Sequence, residues 1–142
     1  MKRQTVLKGN KLIAEFMGAE ILSPKTQFTY YDFGEKWYDL NGYIFQQKIH
    51  DNSLRYHLSW DWLMPVVEKI ATIPTNYPDG IYKYMVNVEL NPITGVEIKD
   101  MYKINFNSEK GFEILIHEND FITNVWLAVV EFIKWYNLNK NN

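Results

Sequence analysis

Cysteine is absent from the chain, and that absence removes disulfides, thiol chemistry, iron–sulfur clusters and every cysteine-based zinc site. Glycine is sparse and dispersed: its seven copies form neither G-x-G-x-x-G nor G-x-x-x-x-G-K, so the usual phosphate cradles are missing. No G-x-S-x-G nucleophile elbow occurs. No apolar run approaches the roughly 18 residues that a membrane helix needs, and Lys2-Arg3 is not followed by the apolar stretch of a signal peptide. The reading is a cytoplasmic protein.

Charge of one sign is also lacking. Fifteen basic against seventeen acidic residues give a net charge of −2. This provides neither the basic footprint that grips a phosphate backbone nor the carboxylate density of a nucleic-acid mimic. Sequence-specific nucleic-acid contact and membrane binding are therefore not expected.

Apolar and aromatic residues are abundant. A hydrophobic content of 46%, with 16% aromatic, against 23% charged residues, describes a chain that can build a packed interior and is not disordered. At 142 residues it is read as one domain, 1–142, with an aromatic-rich insertion at about 23–52.

The fold class expected is α+β: a mainly antiparallel sheet of four to five strands, packed by two long helices and a short N-terminal one. Leu12, Ile13, Phe16 and Met17 share a helical face, with Asn10 as cap and Gly18 as terminator, which predicts a helix over about 10–17. Leu63, Val66, Val67 and Ile70 repeat at i, i+3, i+4 and i+7 and predict a helix over 59–72, with Pro65 disturbing its first turns. Ile122, Val125, Trp126, Val129, Phe132, Ile133 and Tyr136 predict a third over 120–137, with Asn124, Glu131 and Lys134 opposite or at its edges.

Asn41-Gly42 signals a type I′ hairpin turn between strands near 36–40 and 43–49. Residues 73–80 read as a loop. Alternation then predicts strands around 82–90, 96–104 and 112–116, with Asp100 as a candidate bulge. Short links between these strands favour antiparallel pairing.

Candidate chemistry is thin. His50, His57 and His117 are the only side chains whose ordinary pKa lies near neutrality, and they form no H-E-x-x-H pair or carboxylate triad. Asp32, Glu35 and Asp39 lack an evident apolar pocket that would raise one pKa. No catalytic residue, metal site or cofactor is assigned, and the protein is read as a non-enzyme.

The segment 28–45 is the best candidate for a functional surface. Tyrosine and tryptophan dominate binding hot spots. In the doublets Tyr30-Tyr31 and Trp37-Tyr38, neighbouring strand residues face opposite ways, so one of each points away from the core unless both faces are covered. Tyr30, Tyr31, Asp32, Glu35, Trp37 and Tyr38 are thus the candidate partner-binding residues. Whether these aromatics are core or interface stays open. Trp60, Trp62 and Trp126 are assigned to packing.

The ordering Asn10-Lys11-Leu12-Ile13-Ala14-Glu15-Phe16-Met17-Gly18, then Tyr56-His57-Leu58-Ser59-Trp60-Asp61-Trp62 leading into Val66-Val67-Glu68-Lys69-Ile70, then Trp126-Leu127-Ala128-Val129-Val130, resembles the phage ABA sandwich domain family and related small phage and Bacteroidetes-type proteins. The aromatic stretch at 23–52 has no counterpart in it. The resemblance implies a layered α/β domain on a mobile element, and a factor that binds and inhibits a host protein or ribonucleoprotein, such as an anti-CRISPR or other counter-defence protein. The alternative is a small-ligand or nucleotide-binding accessory domain, with a pocket between the sheet and the 59–72 helix.

Overall fold

Apolar periodicity and short turn-rich links give a chain of three helices and seven strands among the described residues, which in this computed structural model are 1–22, 29–38, 44–76, 83–100 and 112–139. The class is α+β. Contacts gather into two compact units, Met1–Arg55 and Tyr56–Asn142.

In the first unit, helix α1 runs Arg3–Phe16, so it starts a full two turns before the expected cap at Asn10. Asn10 is instead a buried interior residue, and its Nδ2 donates to the Leu54 carbonyl at 3.2 Å. A tertiary acceptor thus satisfies the amide that would otherwise suit a cap. The C-terminus behaves as the sequence suggests. Gly18 takes φ 91°, while the amides of Gly18 and Ala19 donate to the carbonyls of Glu15 and Ala14 at 3.0 and 2.9 Å, a Schellman closure that a β-carbon would strain.

Strands β1 (Glu20–Leu22), β2 (Tyr30–Tyr38) and β3 (Ile44–His50) form an antiparallel sheet in the order β1-β2-β3. β3 lies within a residue of the expected 43–49, whereas β2 starts at Tyr30, six residues before the strand expected at 36–40; the Asn41-Gly42 turn lies outside the described residues. The ladder shifts register between Asp32 and Lys36, where Asp32 Oδ1 accepts the Gly34 amide at 2.8 Å and Gly34 has φ 77°.

The second unit carries helix α2 (Trp60–Ala71), strands β4 (Pro74–Asn76), β5 (Lys83–Asn91), β6 (Gly95–Asp100) and β7 (Glu113–Ile116), and helix α3 (Phe121–Asn139). The strands pair antiparallel in the order β4-β5-β6-β7. Two corrections follow. The described residues form two sheets where one of four to five strands was expected, because the β2–β3 hairpin takes its third strand from the short Glu20–Leu22. Residues 74–76, read as loop, pair with 83–85 as an edge strand, a position where Pro74 costs no central ladder bond.

Cross-strand pairs place Val86 with Asp100, Val88 with Ile98 and Ile114, and Leu90 with Val96 and Ile116 on the face that α2 and α3 cover. Val96, Ile98, Leu63, Val66, Ile70, Val125, Trp126, Val129, Phe132 and Ile133 are all buried there, each such side chain stabilising the unit by about 1.5–3 kcal/mol before entropy is counted. Phe112 packs on Phe132 and Trp135 with ring centroids 5.3 and 4.2 Å away. Asp100 continues the β5–β6 ladder without a bulge and is buried on the apolar face.

Close packing explains one glycine. Gly95 adopts φ 117°, and a β-carbon there would lie 2.7 Å from the His117 Cβ and 2.8 Å from the Ile116 carbonyl oxygen.

Candidate interaction surface

Of the residues proposed for partner binding, Tyr31 and Asp32 are buried. Adjacent strand residues point to opposite faces, so both faces of β2 are covered at this point, and Tyr31 at 2% exposure has no surface to offer a partner. Burial, and after it the carboxylates of Asp51 and Glu15, push the Tyr31 hydroxyl above its ordinary pKa. Tyr30 is half-buried and meets His50 edge-on at 5.4 Å. The side chains of Glu35, Trp37 and Tyr38 lie outside the described residues.

Beside Tyr30, His50 Nδ1 accepts the Asn52 amide at 3.1 Å. Arg3 Nη2 donates to Asn52 Oδ1 at 3.0 Å, tying the start of α1 to the 3₁₀ turn Asp51–Ser53. These are bonds of a fastened turn, with the histidine spent on holding backbone.

The second unit supplies an exposed apolar feature around Trp60, a residue the sequence assigns to packing. Trp60 opens α2 and Phe121 opens α3, and their rings meet with centroids 5.0 Å apart. Leu58, in the turn before α2, is 66% exposed, and Trp60 is 37% exposed. Together the three side chains make an apolar ledge where two helices begin.

Buried aromatics fix this ledge from below. Tyr56 is buried and meets Trp62 edge-on at 5.1 Å, and burial raises its hydroxyl pKa. His57 packs against the buried Trp126 at 6.5 Å, and desolvation lowers its pKa. The turn that carries Leu58 is therefore anchored through the two rings that precede it.

The α3 side is held by hydrogen bonds. Asn124, expected at a helix edge, is buried: its Oδ1 accepts the Asn119 amide at 3.0 Å and its Nδ2 donates to the Asn119 carbonyl at 2.9 Å. This reciprocal pair freezes the 118–120 approach and sets the position of Phe121.

No known protein family, curated protein or solved structure matches this chain. What the surface does must be argued from its own chemistry. On α2, Leu63, Val66 and Ile70, which face the strands, are fully buried. An open depression of about 440 Å³ lies elsewhere, at the β5–β6 turn beside Glu89, Asn91, Glu97 and Leu115. Among the described residues, no cluster of three or more His, Asp and Glu is placed to hold a metal ion, and no helix is long and apolar enough to cross a membrane.

Proposed function

We propose that this is a non-enzymatic interaction protein that docks on another protein through the Leu58–Trp60–Phe121 ledge. The observation that carries the reading is a tryptophan and a leucine left open to solvent on a foundation of buried rings and reciprocal amide bonds. A rigid, partly exposed aromatic buries large area at low entropic cost, which is the makeup of a binding hot spot. The phage-type resemblance would make the partner a host protein or ribonucleoprotein, and the outcome its inhibition.

Immobilised wild-type chain and a Leu58→Ser/Trp60→Ser variant can be compared on one bacterial lysate. The expected result is a retained protein that is lost from the variant while both melt within a few degrees of each other. An identical retained set on both would refute the ledge as the docking site.

A further inference from the structure

We propose that the ledge receives a cationic segment of a partner polypeptide, seated by an apolar anchor on Leu58 and Trp60. This rests on the interaction reading above and gives its partner a chemistry. Around the ledge, the stretches 56–64 and 117–124 hold Asp61, Glu118 and Asp120, all exposed, and neither stretch contains a lysine or arginine. Desolvation lowers the His57 pKa and so favours its uncharged form.

The bias extends to the whole unit. Residues 56–142 carry 7 lysines against 11 acidic residues, a net −4, whereas residues 1–55 carry 8 basic against 6 acidic, a net +2. An apolar anchor whose neighbours along the chain are exposed carboxylates selects a partner with the complementary arrangement: one or two large apolar side chains flanked by Lys or Arg. Electrostatic complementarity of this kind steers the encounter and rejects acidic competitors. Anionic lipid and nucleic acid are repelled by the same carboxylates. A second copy is disfavoured too, since a two-fold contact would set Asp61, Glu118 and Asp120 against themselves.

The test uses the full chain and three fluorescein-labelled amphipathic peptides of about 16 residues, with identical Leu and Phe anchors spaced for a helix, and with Lys/Arg, Gln or Glu elsewhere. The cationic peptide is expected to bind best, and the Glu peptide to show no binding. Leu58→Ser and Trp60→Ser should each weaken the cationic peptide by about tenfold, equivalent to about 1.4 kcal/mol. Asp61→Asn with Glu118→Gln should weaken that peptide about threefold or more and leave the Gln peptide unchanged, and added salt should act in the same direction.

If the Gln peptide binds as tightly as the cationic one and is still lost in Trp60→Ser, the charged occupant is overturned while the ledge stands as a docking site. If no peptide responds to Leu58→Ser or Trp60→Ser, the ledge reading itself falls. If the chain alone sediments as a dimer that Trp60→Ser splits, the occupant is a second copy and the proposal is overturned. Leu58 is the more exposed of the two, so its variant keeps the test intact if Trp60→Ser lowers stability.

Discussion

Tyr31 and His57 illustrate how neighbours decide what a side chain does. Tyr31 belongs to a doublet whose alternation says only that its partner faces the other way; burial of Asp32 next to it requires cover on both faces, which no local pattern reveals. Tyr31→Ala should therefore cost about 3–5 kcal/mol, the range for deleting a buried aromatic ring. A melting temperature within two or three degrees of wild type, in a thermal scan, would return Tyr31 to the surface.

His57 makes a pH prediction whose sign is fixed by its lowered pKa. The unfolded chain takes up a proton near the ordinary histidine value, about 6.5, while the folded chain resists it until lower pH. Stability from this group is complete above that value and is lost as pH falls toward the folded-state pKa. Melting temperature should rise between about pH 5.5 and 7.5, and the rise should flatten in His57→Gln. An unchanged slope in the variant would assign the dependence to other groups. Asn124 is the residue least legible beforehand: an asparagine flanked by apolar neighbours reads as a helix edge, and only the loop at Asn119 gives both halves of its amide a partner.

At the level of elements, the strongly periodic pieces were readable and the weakly patterned ones were not. Leu63, Val66, Val67 and Ile70 mark α2, and all four are buried. The first half of α1 was missed because Arg3–Gly9 carries two basic residues, a glutamine and a glycine among few apolar ones; its start depends on contacts such as Arg3 with Asn52. The three-residue strands β1 and β4 are too short for alternation to register. Pro65 is the sixth residue of α2, exposed, and denies the Asp61 carbonyl its intrahelical donor. Pro65→Ala has room for its side chain and restores that donor. It should raise stability by about 1–3 kcal/mol, measured by urea unfolding. A decrease would indicate that the proline-shaped first turns are needed to seat Trp60.

Viewed as a whole, the molecule divides its contacts at Arg55 and its charge along the same line, and only the charge can be counted from the sequence. The class was legible; the number of sheets was not, because pairing partners are chosen in three dimensions. The second unit contains α2, α3, four strands and its own buried aromatic cluster. A chain of residues 56–142 is expected to unfold cooperatively by calorimetry and to keep strong helical circular dichroism. A broad, featureless transition would mean that residues 1–55 complete its core.

The reciprocal amide pair between Asn119 and Asn124 has a kinetic corollary. A platform immobilised before any encounter has no loop to rearrange, so a visitor meets a finished shape, and association should proceed in a single exponential phase whose rate climbs linearly with visitor concentration. Breaking that pair would leave the apolar rings in place chemically while making their arrival in register the slow event.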